Sequence, residues 1–299
     1  MQQEVLNSGL AGAAAPEPRV AGGTISAVVL SFNSAAYLDR CLNSLSRALD
    51  ALGDGHEIIV VENGSGDVSP GILKQWAARR PQLVKPIYSP VNLGTTVSRN
   101  RALAQVQGEF VLVLDSDAYV DADVLRSLRE RLLQRPDVGL VVPQLRYGDG
   151  RFQLSVDEFP TLRRKLVRLF RLRELERTHA TPQAPVEVDY AISACWLMPR
   201  HVVRSVGPLD ERIFYSPEDV DYCARIGLAG YAVLYDPTCV AVHDAQELSR
   251  SKKLNGFFGR HVGGLFYLFL KHQFFLSSRR LRKRIAAARR ARQHCAQRR

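Results

Sequence analysis

Residues 109–118, Glu-Phe-Val-Leu-Val-Leu-Asp-Ser-Asp-Ala, constrain this chain more than any other stretch. Phe110 to Leu114 is an unbroken apolar run, short and Val-Leu-Val in character, so it predicts a strand covered on both faces of a parallel sheet. Two carboxylates, Asp115 and Asp117, follow at once. The C-terminal ends of such strands are where open α/β sheets bind ligands. Two acids one residue apart repel unless positive charge lies between them, and a hard divalent cation with oxygen ligands meets that need. The same acids could instead cap a helix beginning near Asp121. The stretch by itself leaves both readings open.

The chain around it alternates strand and helix. Ile25–Phe32 predicts a buried strand, and Tyr37, Leu38, Cys41, Leu42, Leu45 and Leu49 recur at helical spacing. A strand at 58–61 ends in Glu62-Asn-Gly-Ser-Gly-Asp67, a run of turn formers. A helix near 72–80, a strand near 84–88, the loop Asn92-Leu-Gly94 and a helix to about Val106 precede the pivotal strand. A helix near 121–134 and a strand at 138–143 follow it. This order predicts a doubly wound, mostly parallel sheet. Asn33, Glu62 and Asp115/Asp117 then sit at C-terminal strand ends, and the helix after Gly94 could turn its first amides toward an anionic group.

Net charge is +11, yet no Asp or Glu occurs after Glu247, while 15 Lys and Arg do. Residues 1–247 therefore carry 26 basic against 30 acidic groups, a net of −4. The excess charge is a basic appendage rather than a nucleic-acid-binding face, and no nucleic acid is expected as a partner. Five scattered cysteines with no C-x-x-C pair speak against a zinc site or a disulfide framework and fit a reducing cytosol. Met1–Gly23, rich in Ala, Gly and Pro, lacks a signal-peptide pattern and predicts a disordered leader. Arg163–Arg173 predicts a basic amphipathic helix that either packs on the core or touches a membrane. In the tail, the aromatic stretch 254–276 is interrupted by Arg260 and Lys271, and its longest uncharged run, His261–Leu270, is too short to span a bilayer. An interfacial tail drawn to anionic lipid is expected; packing on the body, with a disordered basic end, is the alternative.

With Val-Leu-Ser-Phe-Asn33, Val-Val-Glu62-Asn-Gly-Ser65, Asn92-Leu-Gly94, Arg99-Asn100, Asp115-Ser-Asp117, Gly207-Pro-Leu-Asp210-Glu, Pro217-Glu-Asp219-Val-Asp221, Ala229-Gly-Tyr231 and His243 in this order, the chain resembles family 2 glycosyltransferases of the GT-A fold. The resemblance is closest to their rhamnosyltransferase-like branch and covers about residues 24–245. It implies a mixed, mostly parallel α/β sheet with a sugar-nucleotide-binding half (24–145) and an acceptor-binding half (146–249), followed by an aromatic, basic, membrane-proximal tail (250–299). Ser31, Asn33 and Glu62 would hold the nucleoside, although the family usually has Asp where Glu62 stands. Asn92 and Gly94 would line the nucleotide pocket, with Arg99 near the diphosphate. Asp115, Ser116 and Asp117 would form the Asp-x-Asp motif, Asp117 being the more direct ligand of Mn2+ or Mg2+, and His243 a further metal or diphosphate contact. Cys195 and Trp196 fall where the family places acceptor contacts, and Glu218-Asp219 where it places the catalytic base, with Asp219 as base and Glu218 orienting the acceptor. Asp221 is expected to make a structural salt bridge.

The implied reaction moves a sugar from a nucleoside-diphosphate sugar to a hydroxyl of a glycan or lipid-linked acceptor at the inner face of the cytoplasmic membrane. dTDP-rhamnose is the donor the branch suggests; UDP- and GDP-sugars stay open. One base and no covalent nucleophile imply single displacement with inversion. A nucleotidyltransferase would need a basic, glycine-rich loop after the first strand, and Ser31-Phe-Asn-Ser-Ala-Ala has none. A sugar-nucleotide-binding scaffold without activity is the non-catalytic alternative.

Overall fold

A computed structural model describes residues 23–178, 180–245 and 256–297. The leader expected over residues 1–23 lies, except for Gly23, outside them. The elements run in the order β1 (Ile25–Ser31), α1 (Leu38–Asp50), β2 (Glu57–Asn63), α2 (Ser69–Arg79), β3 (Val84–Ser89), α3 (Thr95–Leu103), β4 (Phe110–Asp115), β5 (Ala118–Tyr119), α4 (Ala122–Gln134) and β6 (Val138–Arg146). There follow β7 (Phe152–Gln153), β8 (Val156–Asp157), α5 (Leu162–Thr178), β9 (Val186–Val188), β10 (Tyr190–Ala191), β11 (Cys195–Pro199), α6 (Arg200–Val206), α7 (Glu218–Leu228), β12 (Ala232–His243), α8 (Gly256–His272) and α9 (Arg279–Gln297).

The main sheet has the order β3-β2-β1-β4-β11-β6-β12-β5. The first four strands are parallel, β11 runs antiparallel to both its neighbours, and β12 is parallel to β6. Alternate side chains of the apolar strands feed two cores. Phe110, Leu112 and Leu114 join Ile25, Ala27 and Val29 against α1, α2 and α4. Val111 and Val113 join Val28 and Ile59 against α3, α6, α7, α8 and α9. Both faces being covered is why these strands read as continuous apolar runs. The parallel pairing also lines up the C-terminal ends of β1, β2 and β4 on one edge, with Leu30 opposite Asp115 and Ser31 opposite Glu62.

The basic tail docks on this body. Leu281 of α9 is fully buried, and α9 approaches α7 at Gly227, where a Cβ would come within 2.9 Å of Ile285. Arg282 pairs with Asp189 at 2.6 Å and Arg289 with Glu187 at 2.6 Å. Lys271 and His272 of α8 meet the buried Asp221 at 2.6 and 2.7 Å. The tail's positive charge is thus partly matched to the mildly acidic body, and Asp221 makes the expected ion pairs. The alternative of a disordered basic end does not hold for residues 279–297, which are helical. No helix among the described residues is long and apolar enough to cross a membrane.

If α9 is integral to the fold, removing one buried side chain should be felt globally. Leu281→Ala is expected to lower unfolding free energy by about 2–5 kcal/mol in urea titrations; an unchanged midpoint would mean that α9 is not docked in solution.

Candidate active site

The capping question at Asp115 and Asp117 has a direct structural answer. Asp121 caps α4, its carboxylate accepting from Val124 N at 2.9 Å. Asp115 and Asp117 are left for other work. Between them and α4, the chain makes the short strand β5, which pairs antiparallel with the end of β12 so that His243 lies opposite Ala118. A two-residue strand therefore brings in a histidine from over a hundred residues away. His243 Nε2 stands 3.4 Å from Asp117 Oδ1 and 3.8 Å from Asp115 Oδ2, and the ligand atoms of all three residues lie within 4.8 Å of one another.

His243 Nδ1 bonds Gln153 Oε1 at 2.9 Å. With an oxygen acceptor there, Nδ1 carries the proton and Nε2 presents its lone pair to the carboxylates. Two carboxylates and an imidazole lone pair directed at one point form a donor set for a hard or borderline divalent cation, so the residues fit Mn2+ or Mg2+. Gln153, buried on β7, gave no signal in the sequence.

Arg99 is buried within α3 and joins this triad to the downstream acids. Its Nη2 donates to Asp115 Oδ1 at 2.5 Å, while Nη1 donates to Ser193 Oγ at 2.7 Å and to Glu218 Oε1 at 3.3 Å. Ser193 in turn donates to Glu218 Oε1 at 3.0 Å. Burial raises the Asp115 carboxyl, Arg99 and His243 pull it down, and the neighbouring Asp117 pushes it up. Glu218 opens α7 and is only 6% exposed; burial pushes it up to about 8, with Asp219 adding to the shift. Burial also raises Asp219, against the pull of Lys165, Arg168 and Arg99. Tyr215 sits in the field of Asp115, Glu218 and Asp117.

The remaining expected positions divide into two groups. Ser31, Asn33, Glu62, Asn92 and Gly94 lie at or just after the C-terminal ends of β1, β2 and β3, and several are committed to building the loops. Glu62 accepts from Gly64 N and Ser65 N, and Asn33 accepts from Gly66 N while its own backbone is left-handed at φ 50°. Asn92 Oδ1 accepts from Asn63 Nδ2 and Gly94 N. Ser116 Oγ lies 2.8 Å from Ser34 Oγ. Ser31 Oγ is buried and bonds no protein atom among the described residues. The first amide of α3, expected to face an anion, instead gives its hydrogen bond to Phe214 O at 2.6 Å. Gly94 permits that approach, since its φ is +84° and a Cβ would stand 2.4 Å from Phe214 O.

Cys195 and Trp196 differ from the expected acceptor positions. Both are 1% exposed, and as adjacent strand residues they point into opposite cores, Trp196 stacking on Tyr222. They offer no surface to an acceptor. Ser193, two residues earlier, is the residue of this segment that reaches the acids. Lys165 and Arg168, whose charges act on Asp219, were visible in the sequence only as part of a basic helix.

Comparison with known proteins identifies the family. The family profile "Glycosyl transferase family 2" matches residues 26–207. An N-acetylglucosaminyl-diphospho-decaprenol L-rhamnosyltransferase of Mycobacterium tuberculosis is 27% identical over 241 residues, 72% of this chain and 74% of that protein. Among solved structures, the mannosyltransferase PcManGT from Pyrobaculum calidifontis in complex with GDP-Man and Mn2+ superposes with a TM-score of 0.58 at 20% identity. That match covers 83% of this chain and 64% of that one, less than two thirds of its length. S. aureus TarS 1-349 in complex with UDP-GlcNAc gives a TM-score of 0.56 at 18% identity, covering 89% and 71%. At these identities the structures speak for the fold, which is GT-A. The chain belongs to glycosyl transferase family 2 and is a glycosyltransferase.

Proposed function

We propose that this glycosyltransferase moves a sugar from a nucleoside-diphosphate donor to a hydroxyl of a lipid-linked or glycan acceptor, by metal-dependent single displacement with inversion. One observation carries the reading: the guanidinium of Arg99 bonds both Asp115, of the triad with Asp117 and His243, and the buried Glu218, whose neighbour in the chain is Asp219. PcManGT and TarS, whose structures hold GDP-Man with Mn2+ and UDP-GlcNAc, support a sugar-nucleotide donor. The rhamnosyltransferase named for a diphospho-decaprenol supports a lipid-linked acceptor, and with it a place at the membrane surface.

In this reading Asp115, Asp117 and His243 hold Mn2+ or Mg2+, which when bound neutralises charge on the departing diphosphate. Ser31, Asn33, Glu62 and the Asn92–Gly94 loop enclose the nucleoside; the buried Ser31 hydroxyl, with no hydrogen-bond partner among the described residues, bonds it. Arg99 fixes Asp115 and Glu218 at a constant separation. Asp219 takes the proton of the acceptor hydroxyl as that oxygen attacks the anomeric carbon from the face opposite the leaving group. Glu218, already engaged by Arg99 and Ser193, orients and does not abstract. Residues 24–145 supply the donor side and 146–249 the acceptor side.

The direct test incubates the full-length chain with a panel of sugar nucleotides and Mn2+ and measures nucleoside diphosphate release. Release is expected to vanish in EDTA and return with Mn2+ or Mg2+; absence of metal-dependent release or binding with every donor would favour a scaffold. Gln153→Leu is expected to raise the metal concentration needed for half-maximal activity by about 10–100-fold with little change at saturation, because it frees the His243 ring to rotate. Asp219→Asn should lower turnover by about 10²–10⁴-fold or more while donor binding, read by calorimetry, is kept; retained turnover would remove Asp219 from the base role. Because the Asp219 carboxyl is raised by burial, kcat/KM should fall on the acid side at a pH above that of an ordinary aspartate. Lys165 pulls that carboxyl down, so Lys165→Met should move the acid limb to still higher pH.

A further inference from the structure

Between α6 and α7 the chain crosses residues 207–217 with neither helix nor strand, yet both sides of the site are attached to this segment. One attachment is to α3, the helix of Arg99. Leu209 N donates to Asn100 Oδ1 at 2.8 Å, and Leu209 O accepts from Asn100 Nδ2 at 2.9 Å. Ile213 O accepts from Thr96 Oγ1 at 2.7 Å, and Phe214 O takes the first amide of α3. At its other end the segment runs through Ser216 and Pro217 directly into Glu218 and Asp219. It therefore couples α3 to the start of α7, and with them the 3.3 Å contact between Arg99 and Glu218.

Helix α8 holds the segment in turn. Asp210 accepts at Oδ2 from Tyr267 Oη and from Lys271 Nζ, both at 2.7 Å. The same ammonium stands 2.6 Å from Oδ1 of Asp221, a buried acid in the first turn of α7. One cation thus spans two carboxylates, one on the segment and one on the helix that carries Glu218 and Asp219. Each carboxylate has other partners as well: Arg212 bonds Asp210, and His272 and Arg225 bond Asp221. Neutralising Lys271 would leave neither acid as an uncompensated charge, so its distinctive effect is the tie between them. Gly264 adds a steric contact, because a Cβ there would stand 2.6 Å from Ser216 O and 3.2 Å from Pro217 Cδ. Helix α8 therefore lies flush against the two residues that precede Glu218.

We propose that Lys271 is a positioning residue for the transfer reaction: its bridge between Asp210 and Asp221 sets residues 207–217 against α7 and so holds Glu218 and Asp219 in place relative to Arg99 and Asp115. This rests on the assignment of those acids to the transfer reaction, and adds that the tail, through α8, takes part in turnover as well as in stability. The triad does not depend on the bridge, since Asp115, Asp117 and His243 are placed by β4, β5 and β12. Loss of the bridge should therefore lower turnover and spare donor and metal affinity. Displacing a reacting group by about 1 Å is enough to slow a reaction about 100-fold.

The test compares Lys271→Met, Lys271→Arg and Leu281→Ala in the full-length chain, each assayed well below its thermal midpoint. Nucleoside diphosphate release is followed with Mn2+ and the sugar nucleotide that the unaltered chain turns over fastest. Lys271→Met is expected to lower kcat by about 10–100-fold with donor KM within about twofold, and Lys271→Arg, which can reach both carboxylates, to restore most of it. Leu281→Ala loosens the tail without touching the bridge, so it should lower the midpoint and leave kcat per folded molecule unchanged. Asp210→Ala opens the bridge from its other end while the Lys271–Asp221 pair stays; it should lower kcat in the same way, and decides the matter if Lys271→Met does not fold. An unaltered kcat in the bridge variants, a loss confined to KM, or an equal loss of kcat in Leu281→Ala would overturn the proposal. Hydrogen exchange read by mass spectrometry needs no substrate. Peptides covering 208–217 and the first turns of α3 and α7 are expected to exchange about tenfold or more faster in Lys271→Met, with those of β4 and β12 unchanged. Unchanged exchange at 208–217 sinks the bridge; faster exchange with no sugar nucleotide turned over leaves the bridge standing and removes the transfer reading instead.

Discussion

The site depends on a buried guanidinium held between two carboxylates. Arg99 touches Asp115 with one nitrogen and Ser193 and Glu218 with the other, at 3% exposure, so its charge has almost no water to fall back on. Desolvating an arginine is costly unless every direction of its fork meets an acceptor. That requirement locks three separate pieces of chain together: α3, the end of β4, and the start of α7. Among the described residues Nε of Arg99 has no hydrogen-bond partner, and the compensation there runs through the two terminal nitrogens. Asp115 and Glu218 cannot drift apart without stranding this charge.

A second consequence concerns the two acids that open α7. Glu218 and Asp219 sit where the positive end of the helix macrodipole favours negative charge, yet burial raises both carboxyls. Helix placement and protein shielding oppose each other, and the cations of α3 and α5 tip the balance for each acid differently. Arg99 and Ser193 bond Glu218 directly, whereas Asp219 is influenced by Lys165 and Arg168 across space. Neighbours in sequence therefore have different chemical characters.

Most of the fold was legible from the sequence because β1, β2 and β4 are buried on both faces, and continuous apolar runs are the imprint of that burial. The strand ends were legible too, since Asn33, Asn92 and Gly94 are residues that tolerate or favour turns. What could not be read were relations that depend on pairing between distant elements. His243 beside Asp117 was expected from the resemblance alone; periodicity could not give it, because it follows from two residues of β5 lying against β12, and two residues carry no periodic signal. Gln153 and Ser193 are ordinary polar residues whose roles exist only through their contacts. Cys195 and Trp196 went the other way: motif position suggested the acceptor side, but alternation along β11 sends each into a core. The tail's composition spoke of charge in excess, while the acids that match part of it, Asp189, Asp221 and Glu187, are spread over the preceding chain and do not announce themselves as its partners.

The pairing of β5 with β12 has a bearing on how the protein is made. Asp115 and Asp117 leave the ribosome long before His243, and β12, which carries the histidine, is the last strand in chain order among the described residues. Until that strand emerges, β6 lacks its parallel neighbour and the two carboxylates lack their imidazole. The nascent chain can assemble the parallel β1–β4 layer early, but the triad closes only when β12 is available to pair, near the end of synthesis. Completion of the Asp115–Asp117–His243 triad and pairing of β12 are thus one event, and a chain interrupted before residue 243 possesses the acids without the imidazole.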